Sequence, residues 1–311
     1  LHFALGSLFR RRGETDRAIR IHQLLVDRED ISEDHRLQAL GELGQDFLKA
    51  GLLDRAEAAF QRLRGTRAND VALRYLLEIY QQEKDWAKAI EVAQALPEHE
   101  GVMWRTEMAN FHCELAANAL ANSRYEDARR HLDSAFEVSR RSVRASILLG
   151  DLLAAQGRDE EALDAWKRIE NQDPVYLALV AERIMDAYGR LGRVEQGTSA
   201  SLDLLDELFH WELEREGPKA AYELVREELR RNPTLLGLDK LLEAAVLVAP
   251  ADQRSDIELI KQLIHGHTRR VARYCCATCG FKARQFHWRC PACGGWETYP
   301  PRRTEEFDIT P

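Results

Sequence analysis

Four cysteines near the C-terminus have the types and spacing for metal chemistry. They read Cys276-Ala-Thr-Cys279, then ten residues from Gly280 to Arg289, then Cys290-Pro-Ala-Cys293. Two thiolates three positions apart on a tight turn can both face one point. Gly280 and Gly294 follow the two pairs. Glycine accepts φ > 0, so the backbone can curl and aim its N–H groups at the sulfurs. A second pair completes a tetrahedron that suits zinc or iron, so one metal ion per chain is expected, held by Cys276, Cys279, Cys290 and Cys293. Four thiolates fill every position and leave none for Lewis-acid catalysis. Iron in the same cage could exchange electrons, and ligand spacing does not separate the two metals. Cys275 stands one residue outside the pattern and reads as a bystander thiol, with a spare ligand or redox partner as the alternative.

Short strands must carry these turns. Arg273-Tyr274-Cys275-Cys276 and Trp288-Arg289-Cys290 alternate as strands entering each pair, and Trp296, Thr298 and Tyr299 suit one leaving the second. The pattern is that of a rubredoxin-like or zinc-ribbon β module over residues 269–303, followed by a flexible tail at 304–311. About 35 residues cannot bury enough core alone, so metal must supply the folding energy. Arg269, Arg270, Arg273, Lys282, Arg284 and Arg289 make a candidate basic partner surface. His287 and Trp288 read as packing of the small domain, or as a rim contact. His265-Gly-His267 reads as a surface loop, because two histidines lack a third ligand.

Residues 1–268 must position this module, and they are self-similar. Gly6, Gly13, Ala18 and His22 stand at offsets 0, 7, 12 and 16. Gly44, Gly51, Ala56 and Phe60 repeat those offsets, as do Gly150, Gly157, Ala162 and Trp166, with Pro174 eight residues on. The pattern resembles the tetratricopeptide repeat, a pair of packed helices. The first glycine and the alanine are small where the helices cross. The second glycine caps the first helix, and proline follows the second. Weaker units are marked by Tyr80, Trp86, Ala89 and Leu96; by Tyr125, Ala128, Leu132 and Ala135; by Tyr188, Gly192, Gly197 and Leu204; and by Ala221, Val225 and Pro233. The expected fold is all-α: a superhelical solenoid of about seven hairpins with closing helices at Leu238–Val248 and Ile257–Ile264. Repeats cover one another's apolar faces and leave a groove lined by first helices, a surface for peptides or proteins. Arg74, Glu78, Arg144 and Asp151 are candidate groove residues, and Leu73, Leu76, Leu77 and Tyr80 are core.

Bulk properties limit the classes of function. The 311 residues are 45% apolar and 31% charged, which marks a globular chain. No apolar run reaches the ~18 residues of a membrane span. Five of six cysteines fall within nineteen residues, which argues against a distributed disulfide framework. Net charge is −8, but from Arg269 onward 8 basic residues face 4 acidic ones, so an acidic body carries a basic tail. Such a tail suits an acidic partner or membrane headgroups, with ordinary surface charge as the plain reading. The acidic body speaks against nucleic acid. No G-x-S-x-G, Walker loop or H-E-x-x-H is present, so no enzyme is expected.

Two stretches carry a resemblance to a known family. They are Leu5-Gly6-Ser7-Leu8-Phe9-Arg10-Arg11-Arg12-Gly13-Glu14-Thr15-Asp16-Arg17-Ala18-Ile19-Arg20-Ile21-His22-Gln23 and Tyr274-Cys275-Cys276-Ala277-Thr278-Cys279-Gly280-Phe281, the latter with Trp288-Arg289-Cys290-Pro291-Ala292-Cys293 after it. Repeats followed by such a pair of knuckles resemble the lipopolysaccharide assembly protein B family of Gram-negative bacteria, over essentially the whole chain. That resemblance implies an N-terminal transmembrane helix holding the repeats at the cytoplasmic face of the inner membrane. The chain starts at Leu1, within a helical pattern and without methionine, so a soluble fragment lacking that helix and the first repeat is expected. The resemblance further implies a non-catalytic adaptor that promotes degradation of the lipid A-committing deacetylase by a membrane AAA+ zinc protease, and that gathers other lipopolysaccharide assembly proteins. Cys275 departs from the basic residue expected at its position. An iron redox protein and a nucleic-acid-binding zinc ribbon on a helical scaffold are the alternatives, and a homodimer is left open.

Overall fold

The computed structural model describes the chain except residues 98–100, 194–204, 232–234, 269–273 and 301–311. It divides into two compact units, Leu1–Ser139 and Arg140–Pro311. The first unit holds α1 (His2–Arg11), α2 (Thr15–Val26), α3 (Glu33–Lys49), α4 (Leu53–Gln61), α5 (Asn69–Glu83), α6 (Trp86–Gln94), α7 (Gly101–Ala121) and α8 (Tyr125–Val138). Each packs on the next in sequence, so the helices form consecutive hairpins.

The repeat signature has a direct steric cause. Gly6, Gly44 and Gly150 each lie against the ring sixteen residues on. A Cβ added there would stand 2.4 Å from His22, 2.7 Å from Phe60 and 2.2 Å from Trp166. Ala18, Ala56, Ala89 and Ala162 are fully buried at the crossings. Between paired helices the chain turns through a left-handed residue, with Gly157 at φ +74°. In the third and fourth hairpins the same turn is made by Lys84 (φ 59°) and Ser123 (φ 56°). Those units are therefore faint in sequence although their geometry is the same. Left-handed backbone costs an L-residue about 1 kcal/mol. Ser123→Gly is expected to stabilise the fourth hairpin by up to about 0.5 kcal/mol after glycine's greater unfolded entropy is counted. Chemical denaturation would measure it, and a loss of stability would contradict the strain argument.

The first hairpin carries a polar core where others carry an aromatic ring. His22 and Asp46 are fully buried, and His22 Nδ1 lies 2.5 Å from Asp46 Oδ2. Arg10 donates to Asp46 Oδ1 at 2.7 Å and to Glu42 Oε2 at 2.6 Å. Three helices, α1, α2 and α3, thus meet in one polar network. Buried pairs of this kind are costly to break because the remaining charge loses its partner.

The second unit opens with α9 (Val143–Ala155) and α10 (Asp159–Gln172). Ser142 starts α9 by accepting from the Ala145 N–H. After α10 a 3₁₀ turn, Pro174–Leu179, leads into α11 (Ala181–Arg190). Asp173 accepts from the Val175 N–H at the start of that turn. Gly197 and Leu204 of the sixth unit, Pro233 of the seventh and the tail at 304–311 lie outside the described residues. The seventh hairpin appears as α12 (Leu205–Arg215) and α13 (Pro218–Arg231), with Phe209, Ala221 and Val225 buried together with Ala244. The closing helices are α14 (Leu235–Val248) and α15 (Ala251–Thr268), separated at Pro250. They are longer than the periodicity predicts. His265-Gly266-His267 therefore lies inside a helix and not in a loop, and His265 Nδ1 pairs with Asp239 Oδ2 on α14 at 2.9 Å. No described helix is long and apolar enough to cross a membrane. The β module follows: β1 (Tyr274–Cys275) pairs antiparallel with β2 (Lys282–Ala283), Tyr274 opposite Ala283 and Cys275 opposite Lys282.

Candidate metal centre

The two knuckles are built alike. In the first, Cys276 N–H donates to Phe281 O at 2.9 Å and Gly280 N–H donates to Cys276 O at 2.9 Å. In the second, Cys290 N–H donates to Gly295 O at 2.8 Å and Gly294 N–H donates to Cys290 O at 2.9 Å. Gly280 (φ 73°) and Gly294 (φ 74°) close these turns in the left-handed region. The knuckles are tied together by Ala277 N–H donating to Thr298 O at 2.7 Å, and a bridge between Arg289 and Trp296 closes the base of the second. Tyr299, fully buried, donates from its hydroxyl to Tyr274 O at 3.1 Å.

This framework brings the sulfurs of Cys276, Cys279, Cys290 and Cys293 within 4.8 Å of one another. Cys276–Cys293 and Cys279–Cys290 are 3.7 Å apart. A disulfide would need about 2 Å. A tetrahedral thiolate cage with metal–sulfur bonds of ~2.3 Å has edges of about 3.8 Å. The spacing and the all-sulfur donor set therefore fit one metal ion of the zinc or iron class. Cys276 and Cys290 are buried, whereas Cys279 and Cys293 are exposed. A hydrogen bond with the Thr298 hydroxyl, 3.3 Å away, holds the Cys276 thiol down to about 6. The Phe281 backbone pulls Cys279 down, but desolvation and the three neighbouring sulfurs push it up to about 12. Crowded thiols of this kind share protons that a metal must expel. Cys275 stands apart, its Sγ against Cys276 O and Gly280 O.

The basic residues are spread out. Arg269, Arg270 and Arg273 lie outside the described residues. Lys282 and Arg284 are exposed, while half-buried Arg289 donates from Nε to Gly294 O at 3.2 Å and lies 6.0 Å from the Trp296 ring. Two candidate groove residues serve internally. Asp151 takes an ion pair from Arg183 at 2.8 Å, and Arg144 is only 7% exposed, its guanidinium 5.4 Å from the Trp288 ring and 5.7 Å from the Trp296 ring. Sequence reasoning missed Tyr176. Its ring stacks on Trp288, centroids 5.3 Å apart and planes at 6°, and meets the edge of Phe286 at 6.2 Å. His287 instead turns its ring to Tyr299 at 5.8 Å, within the module.

Comparison with known proteins agrees with both parts. Residues 42–101 and 113–174 match the tetratricopeptide repeat, and residues 274–301 match the rubredoxin metal binding domain. Lipopolysaccharide assembly protein B of Escherichia coli (strain K12) is 34% identical over 317 residues, covering 97% of this chain and 80% of its own. The protein of that name from Haemophilus influenzae is 28% identical over 315 residues, covering 98% and 79%. Among solved structures, the C-terminal part of a repeat-containing protein from Cytophaga hutchinsonii aligns with 82% of this chain and 98% of its own at 12% identity and a TM-score of 0.44. With tetratricopeptide repeats, a rubredoxin-like metal module and a relative 34% identical over 97% of this chain, the chain belongs to the lipopolysaccharide assembly protein B family.

Proposed function

We propose that the chain is a non-catalytic adaptor that regulates lipopolysaccharide biosynthesis. In this reading residues 1–268 grip partner proteins, and residues 269–303 form a metal module held by Cys276, Cys279, Cys290 and Cys293. When bound, the zinc or iron ion supplies a four-way cross-link, and the thiolates leave it no position for a substrate. The observation that carries the reading is this closed sulfur cage beside helical repeats, in a chain whose relatives are named for lipopolysaccharide assembly.

The finer mechanism follows the family resemblance. The adaptor would sit at the cytoplasmic face of the inner membrane and bring the lipid A-committing deacetylase to a membrane AAA+ protease. Exposed Lys282 and Arg284 offer a basic surface to one of them. A pull-down with the immobilised chain tests this. Deacetylase and protease together should be retained, and Lys282→Glu/Arg284→Glu should reduce capture of one of them severalfold. Failure to retain either protein defeats the adaptor role. Undiminished capture by the charge-reversed chain removes the basic surface from it.

A further inference from the structure

Among the described residues, the metal module touches the repeats at Arg144 and Tyr176. Arg144 belongs to α9, the first helix of its hairpin, and Tyr176 to the 3₁₀ turn that opens the next. First helices are the side from which a repeat array presents itself to ligands. Here that side is already filled. Trp288 lies flat on Tyr176, Phe286 meets Tyr176 edge-on, and Trp288 and Trp296 both approach the Arg144 guanidinium. Arg144 and Tyr176 are each only 7% exposed as a result. Burial also raises the Tyr176 phenol well above its usual range. Stacked rings and a desolvated cation over an indole each add to the contact beyond the area they bury.

The covering wall depends on the second knuckle. Trp288 precedes Cys290 by two residues and Trp296 follows Cys293 by three. Their relative placement is fixed by the Arg289–Trp296 bridge and by Glu297 N–H donating to Trp288 O at 2.8 Å. Those bonds hold only while the turn between Cys290 and Cys293 is closed. A knuckle that needs metal to stay folded thus controls a cover on the repeat face.

We propose that the Arg144/Tyr176 face is a metal-gated surface: the loaded ribbon occupies it as an internal ligand, and loss of the metal uncovers it. The inference goes beyond the adaptor reading and does not depend on which partner is bound. It concerns when this part of the repeat face can bind anything at all.

Hydrogen exchange on the full chain tests it, comparing protein loaded with one zinc equivalent against protein stripped by a chelator. Exchange in Val143–Leu149 and Pro174–Leu179 should rise on the order of tenfold on stripping, as expected of a local opening. Exchange in α13 and α14 should not change. A Trp288→Ala chain that keeps its metal should show the same rise without stripping. Unchanged protection at Pro174–Leu179 after stripping would overturn the gate. So would an equal rise in α13 and α14, because the metal would then support the whole unit and not a cover. Because the stripping arm needs no substitution, the result stands even if the tryptophan variant fails to fold.

Discussion

Cys290→Ser is expected to lower metal content from one ion per chain to near zero, and to unfold the ribbon while leaving repeat helicity nearly intact. The ribbon's own core is Cys276, Cys290 and Tyr299 with Tyr274, Ala283 and Phe286 around them. So small a cluster cannot offset the conformational entropy of the ordered module, which would need on the order of 1 kcal/mol for each residue fixed. Metal binding at a structural thiolate site contributes on the order of 10 kcal/mol, a large addition to what so small a core supplies. Serine replaces a soft thiolate with a harder oxygen that does not deprotonate near neutral pH, so the cage is left with three sulfurs. Cys275→Ser serves as the control and should keep its metal, since that sulfur faces carbonyl oxygens outside the cage. Elemental analysis and far-UV circular dichroism decide between the outcomes. Metal retained in Cys290→Ser, or lost in Cys275→Ser, would contradict the four-sulfur assignment.

The same cage has a pH signature. With Cys279 pushed up to about 12, neutral metal-free protein holds protons that loading must release. Affinity should therefore fall as pH falls, and loading in weak buffer should acidify it. Visible absorbance of the loaded protein distinguishes iron, which is coloured in a sulfur cage, from colourless zinc.

How much of this was legible in the sequence depends on whether a feature is local. The knuckles were, because two C-x-x-C turns with a following glycine fold within a few residues. The strong hairpins were, because a glycine and the ring it touches keep a constant spacing: Gly44 with Phe60, Gly150 with Trp166. Where the turn residue is Lys84 or Ser123, the geometry persists without its usual residue, and the signal fades. His22 occupied an aromatic position in the pattern, yet its partners Asp46 and Arg10 come from two other helices. The seat of the ribbon was illegible for a related reason. Trp288 read as packing within its own module, and Arg144 as a groove residue, but they meet each other across more than a hundred residues of chain. His265 was misplaced because the histidine pair was weighed as metal ligands lacking a third partner, whereas the closing helix runs on past Ile264 to Thr268. A Cβ added at Gly266 would meet nothing within 4 Å, and the helix runs through the glycine at only a propensity cost.

Gly150→Ala should destabilise the second unit, although alanine is the better helix former. The propensity gain is about 1 kcal/mol. Against it stands a methyl group 2.2 Å from Trp166 Nε1 and 2.4 Å from Cδ1. The indole cannot yield cheaply, being 1% exposed with its N–H donating to Ile147 O at 3.2 Å. Overpacking of this kind costs about 1–3 kcal/mol, so a net loss is expected. Trp166→Ala removes the largest fully buried side chain among the unit's described residues and should cost about 3–5 kcal/mol. The decisive variant is the double one. If the two losses were independent they would add. Here the second substitution removes the obstacle to the first, so Gly150→Ala in the Trp166→Ala background should raise stability by about 1 kcal/mol. Gly189→Ala in α11, where a Cβ meets nothing within 4 Å, should also stabilise by about that amount. One substitution would thus change sign with its neighbour, and denaturation followed by hydrogen exchange in α9 and α10 would show it. Simple additivity at Gly150 and Trp166 would mean that the glycine is required by something other than the ring it faces.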